Sequence, residues 1–186
     1  MNKIKRVSQI FRILIFAIFI LVPLLQTLFW MQAPKPLSLG NFFSSGTGVA
    51  VTFIPKAVDI LHPFTTANRA NGFLVSLIPT AIVMLICYYL MSLFKLYQNG
   101  IIFSLENVRL IKKLGVTLSI SQLVQPFYQF LLSMSLTWEN PIHQRYGLIS
   151  LNQTNIAILL IGLILILISW IMAEGHKLKE EQDFTV

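Results

Sequence analysis

Three glutamines lie in a segment that is otherwise apolar enough to enter a membrane. Gln122, Gln125 and Gln129 follow the spacing i, i+3, i+7, which places their side chains on one face of an α-helix. An amide exposed to hydrocarbon is costly, so we expect this face to contact protein or water. Two interpretations stay open: hydrogen bonds between helices, each worth about 0.6 kcal/mol on average in a membrane, or the lining of a small-molecule pathway in a channel or carrier.

A second set of polar residues lies between two apolar stretches. Asn99-Gly100 is a dipeptide typical of a turn. After it, Ser104 can cap a helix, and Glu106 in the first turn complements the helix dipole. The helix carries an apolar stripe formed by Leu105, Val108, Ile111 and Leu114. Its basic group consists of Arg109, Lys112 and Lys113. This pattern predicts an amphipathic helix that lies on the anionic inner leaflet and turns at Gly115, or that docks a protein.

The C-terminal tail, residues 174–186, is highly charged and ends on apolar residues. It is predicted either to be a solvated chain end or to become ordered when it binds a partner, as an added strand or a short helix. The candidate contacts in the tail are Glu180, Glu181, Asp183 and Phe184. With the basic group they form the predicted interaction surface.

No motif in the sequence supports catalysis or a metal site. A single cysteine, Cys87, excludes an intrachain disulfide and a CxxC redox pair. The motifs HExxH and GxSxG are absent, and His62 has no second ligand at metal-binding spacing. The apolar stretches also lack the ionisable residues that coupled carriers place inside the membrane. We therefore expect a non-enzymatic protein with no cofactor and no metal.

Membrane helices must position these polar residues. Of 186 residues, 55% are hydrophobic and 11% are charged, whereas about 25% are charged in an ordinary soluble domain. About 20 mostly apolar residues span the hydrocarbon as a helix, and four stretches qualify: 13–31, 74–94, 116–136 and 156–173. The predicted fold is all-α, a polytopic membrane protein that forms a single domain over residues 1–186. It has four transmembrane helices, with a cytoplasmic amphipathic helix between spans two and three.

The positions of Lys and Arg predict the orientation. Ten of them lie in the N-terminal segment, the connection 95–115 and the tail 174–186, against four on the other side. Because positive charge is retained in the cytoplasm, both termini are predicted to be cytoplasmic and the long connection 32–73 external. The N-terminal apolar run is longer than a signal-peptide core and lacks a small-residue cleavage site, so we expect a signal anchor.

Two segments resemble the pattern of a known family. The first runs from Leu93-Phe94-Lys95 through Asn99-Gly100, Phe103 and Glu106-Asn107 to Gly115. The second is the tail, with Gly175, Leu178, Glu180, Glu181, Gln182, Asp183, Phe184, Thr185 and Val186. From the second span to the C-terminus, the chain resembles a bacterial family of small four-span membrane proteins known as domain of unknown function 2975.

This resemblance implies a function in partner binding. Members of the family are often encoded beside a small helix-turn-helix regulator, which implies a membrane partner or antagonist of such a regulator in the bacterial cytoplasmic (inner) membrane. The expected partners are the lipid bilayer, a cytosolic helix-turn-helix regulator and a second copy of the chain in a homo-oligomer, without direct contact to nucleic acid. A small-molecule channel or carrier and an accessory subunit of a membrane complex stay open as alternatives.

Overall fold

A computed structural model describes residues 2–32, 65–101, 104–145, 147–149, 151 and 153–183. These residues form four α-helices and one short 3-10 helix, so the all-α prediction is confirmed for them. The elements are α1 Asn2–Gln32, α2 Thr66–Gln98, α3 Leu105–Thr137, the 3-10 helix Ile142–Gln144, and α4 Gln153–Asp183. Most of the predicted external connection 32–73 lies outside the described residues, and α2 begins within it.

Three of the described helices are long and apolar enough to cross a membrane. They are Lys3–Met31 in α1, Thr66–Gln98 in α2 and Gln153–Leu178 in α4. Large apolar side chains on their surfaces, such as Ile164, Leu167 and Ile171, are more than half exposed. Apolar faces of this extent are costly in water and suited to lipid. The chain therefore has the helices of an integral membrane protein.

The contacts of the chain divide it into two compact units. The first unit comprises Met1–Ile20, Ala81–Leu123 and Leu151–Val186, and the second comprises Leu21–Thr80 and Val124–Ser150. Helices α1, α2 and α3 each contribute residues to both units. The basic group and the C-terminal helix belong to the first unit.

Local hydrogen bonds form the turn that leads into α3. Gly100 has φ 80°, a left-handed conformation that glycine adopts without strain, which confirms the predicted Asn-Gly turn. The Ser104 hydroxyl oxygen accepts a hydrogen bond from the Asn107 amide at 3.3 Å, and Glu106 lies in the first helical turn. The predicted helix cap is therefore confirmed. The Asn107 side-chain amide also donates to the Ile101 carbonyl at 2.9 Å, which ties the turn to the helix.

The prediction that the chain turns at Gly115 is wrong, because α3 runs without interruption from Leu105 to Thr137. Gly115 instead packs against α4. A Cβ atom added there would lie 2.7 Å from the Gly162 carbonyl oxygen and 2.9 Å from the Ile166 amide nitrogen. At Gly162 an added Cβ would lie 3.0 Å from the Ser119 amide nitrogen. Small residues thus let the two helix backbones approach closely, as is typical of helix pairs in membranes.

The second unit has its own core of apolar and polar side chains. Its buried apolar cluster consists of Trp30, Tyr128, Leu132 and Leu136. Beside it, the Thr80 hydroxyl donates a hydrogen bond to the buried Gln26 amide oxygen, and the Gln26 amide nitrogen donates to the Phe73 carbonyl at 3.5 Å. The buried side chains of Gln26 and Thr80 are therefore hydrogen-bonded, as membrane burial requires.

Candidate functional site

The basic group lies on the outer side of the first three turns of α3. Arg109, Lys112 and Lys113 are all exposed. The Lys113 ammonium nitrogen lies 5.7 Å from the centre of the Tyr89 ring, within the range of a cation–π contact. The cations are therefore presented to the surroundings by a helix that is itself held against α2.

The apolar stripe of the same helix packs on protein. Val108, Ile111 and Leu114 are buried. Ile111 and Leu114 form a buried cluster with Leu93. Partly buried side chains of α2, α3 and α4 pack against this cluster: Ile86, Tyr89, Leu90, Tyr97, Leu110, Leu165 and Met172. The amphipathic pattern is real, but three of the four stripe residues are already covered by the chain. These three residues are not available to anchor the helix in a lipid leaflet.

The C-terminal candidates lie on or beyond the end of α4. α4 continues beyond the predicted end of the span at residue 173, through Gly175 to Asp183, so the described part of the tail is helical. Glu181 is exposed on this extension. Glu180 and Asp183 belong to the same helix, whereas Phe184 lies outside the described residues.

The three glutamines lie on α3 in different surroundings. Gln122 is half-buried and its amide donates to the neighbouring Ser121 hydroxyl at 2.8 Å. Gln125 is half-buried, and Gln129 is buried in the second unit. Gln129 therefore lies within packed protein, which favours the interhelical role over an open pathway for this residue.

We expect Gln129→Leu to lower the stability of the protein without creating or abolishing solute flux. The expected loss is about 0.6 kcal/mol and at most about 1.7 kcal/mol, the average and the largest contribution of a side-chain hydrogen bond within a membrane protein. Thermal unfolding in detergent and solute efflux from vesicles would measure the two properties. Gln122→Leu is the matched control, because the Gln122 amide donates to the adjacent Ser121 side chain on the same helix and the change should be smaller. Loss of a measurable flux with unchanged stability would contradict the structural role.

A site that sequence reasoning missed lies between α1 and α2 in the first unit. A cavity of about 870 Å³ is lined by three cations, Lys5, Arg12 and Lys95, and by the amides of Gln9 and Gln98. None of the described residues that line it is acidic. The size falls within the range of about 300–1,000 Å³ that is usual for small-molecule sites.

The cavity is built by one stripe on each helix. On α1 the lining residues recur at helical spacing from Lys5 through Arg12 to Phe16. The Arg12 guanidinium donates a hydrogen bond to the Gln98 amide oxygen at 3.0 Å, and the rings of Phe11 and Phe94 stack with their centres 5.4 Å apart. These contacts hold the two helices together beside the cavity.

Comparison with family models identifies the chain. The model described as a protein of unknown function (DUF2975) matches residues 52–186. The chain belongs to the DUF2975 family. The match confirms the resemblance read from the second span and the tail, and it covers α2, α3 and α4. A search of curated proteins and a search of solved structures found no match.

The DUF2975 match covers one of the two candidate sites completely and the other only in part. The basic group on α3 and the extension of α4 lie wholly inside it, whereas the α1 side of the cavity, from Lys5 to Phe16, lies outside it. Among the described residues, no group of three or more His, Cys, Asp or Glu side chains is placed to hold a metal ion.

Proposed function

We propose that this DUF2975 protein is a non-enzymatic, four-span protein of the bacterial inner membrane that binds and restrains a cytosolic helix-turn-helix regulator. The interaction surface is the basic group together with the end of α4. In addition to the three apolar helices α1, α2 and α4, the apolar part of α3, residues 116–136, crosses the membrane as the third span along the chain, and both termini face the cytoplasm. The excess of Lys and Arg on that side supports this orientation.

The observation that carries the proposal is how the basic group is held. Val108, Ile111 and Leu114 are buried against neighbouring helices, while Arg109 and Lys112 are exposed. A helix that used its stripe to enter the leaflet would leave these apolar residues to lipid. A helix packed on its own protein instead presents a fixed cationic surface, which suits recognition of an acidic face on a soluble protein.

The proposal predicts that charge reversal of the basic group releases the regulator. A photo-crosslinking amino acid at Leu105, which is exposed beside the group, should capture the regulator in cells. In the variant Arg109→Glu, Lys112→Glu, Lys113→Glu, we expect capture to fall at least about tenfold, because like charges then face the acidic partner. The complex should also form from the two purified proteins and be lost with the same variant.

The matched control is Lys3→Glu, Lys5→Glu, Arg6→Glu, which reverses three exposed cations of the same predicted side on α1, outside the proposed interaction surface. Cysteine labelling must show that both variants keep the wild-type orientation, since charge affects insertion. Equal capture in both variants would contradict docking at the basic group. Capture of membrane proteins alone would indicate an accessory subunit and overturn the regulatory proposal.

A further inference from the structure

The cavity between α1 and α2 changes in polarity along the helix axes. Its outer part carries Lys5, Arg12 and Lys95, while Ile13 and Phe16 line the part toward the centre of α1. From Lys5 to Phe16 the helix rises about 16 Å. A ligand that fits the whole cavity must therefore join an anionic end to an apolar body.

The same gradient is present on α2. Lys95 and Gln98 line the outer part, and Met91 lines the inner part together with the ring of Tyr88. On both helices the polar residues flank the apolar stretches that the sequence predicts to cross the membrane, 13–31 and 74–94. The cationic end is thus at the level of the phospholipid headgroups, and the apolar end at the level of the acyl chains.

The cavity is open toward its surroundings and its cationic end is preformed. Ile13, Phe16 and Tyr88 are each more than half exposed, so an amphiphile can enter from the bilayer. The hydrogen bond from Arg12 to Gln98 fixes the guanidinium across the two helices before any ligand arrives. Holding a charged group in place lowers the entropic cost of binding.

From this geometry we infer that the cavity binds one anionic phospholipid. The phosphate of the headgroup contacts Lys5, Arg12 and Lys95, with the amides of Gln9 and Gln98 donating further hydrogen bonds. An acyl chain lies along the inner part of the cavity. A free phosphate would use only the cationic end, and the apolar half is what favours the lipid over a soluble anion.

Native mass spectrometry of the full chain, with phosphatidylglycerol and phosphatidylcholine of identical acyl chains, tests this inference. We expect one retained phosphatidylglycerol and weaker retention of the zwitterionic lipid. In the triple variant Lys5→Gln, Arg12→Gln, Lys95→Gln, retention of phosphatidylglycerol should fall at least about tenfold, because each cation near an anionic headgroup favours binding. The matched control is Lys3→Gln, Arg6→Gln, Lys112→Gln, which removes equal charge from the same predicted side outside the cavity.

A second variant keeps the test decisive if the triple variant does not insert. Ser92→Phe places a ring in the cavity without changing charge, and it should exclude the lipid while the fold persists. Equal loss of phosphatidylglycerol in the triple variant inside the cavity and in the triple control outside it would overturn the inference. Such a result would show that the lipid is attracted to the total charge alone. Displacement of the lipid by millimolar glycerol phosphate would also overturn it, by assigning the cavity to a soluble anion.

Discussion

Replacing either Gly115 or Gly162 by alanine is expected to lower the stability of the protein by at least about 2 kcal/mol, toward the upper part of the range for overpacked cores. The new methyl group at residue 115 would lie 2.7 Å from the Gly162 carbonyl oxygen. Backbone atoms of α4 cannot rotate out of the way as a side chain can, so α3 and α4 must separate. Thermal unfolding of the purified protein in detergent measures the effect.

Gly175→Ala is the matched control for this pair. Gly175 also lies within a helix, but a Cβ atom added there meets nothing within 4 Å. Alanine favours a helix over glycine by about 1 kcal/mol, and this gain applies to all three substitutions. We therefore expect Gly175→Ala to be neutral or slightly stabilising. Equal unfolding temperatures for Gly115→Ala and Gly175→Ala would contradict the close contact of α3 with α4.

Gly115 also shows where sequence reasoning fails. A glycine after a basic amphipathic segment is compatible with a turn and with a close helix contact, because both need a missing side chain. The choice between them depends on Gly162, 47 residues further along the chain. Nothing local to residue 115 contains that information, and the predicted turn was wrong for this reason.

Features that depend on neighbouring residues were predicted well. The Asn-Gly turn and the Ser104 cap each involve hydrogen bonds within a few residues. Helical periodicity also identified the stripe of Val108, Ile111 and Leu114, all of which are buried. Periodicity shows which face of a helix is apolar, but it does not show whether protein or lipid covers that face. The sequence left open whether lipid or a partner protein covers the stripe, and the structure packs Ile111 and Leu114 against side chains of the same chain.

The cavity between α1 and α2 was missed although both of its stripes are visible in the sequence. The requirement for membrane orientation explains the number of the N-terminal cations but not their spacing. Lys5, Gln9 and Arg12 recur at i, i+4 and i+7, as one helix face requires. Which part of α2 this face contacts depends on pairs such as Arg12 and Gln98, which are 86 residues apart in the sequence. Only the folded chain reveals that pairing.

Leu132→Ala in the second unit is expected to destabilise the protein by about 1–3 kcal/mol. Leu132 is fully buried, with an exposed fraction of 0%, in the cluster with Trp30, Tyr128 and Leu136. In a membrane, moving a leucine side chain from lipid into the protein interior contributes little to the free energy of folding, because lipid is as apolar as leucine. The loss comes from the empty space that the substitution leaves at residue 132 and from the packing contacts that it removes. Together these account for about 1–3 kcal/mol of the cost of such truncations.

The adjacent residue provides the control, because Leu131 lies on the same helix with 47% of its surface exposed. Leu131→Ala removes the same atoms from a position where detergent or lipid fills the space, so we expect a change of about 0.5 kcal/mol or less. Unfolding temperatures of the two variants, measured in the same detergent, give the difference directly. If both substitutions cost the same, Leu132 is not enclosed by the cluster. A large loss at residue 132 alone would show that the second unit is held together by protein packing around Trp30 rather than by the surrounding lipid.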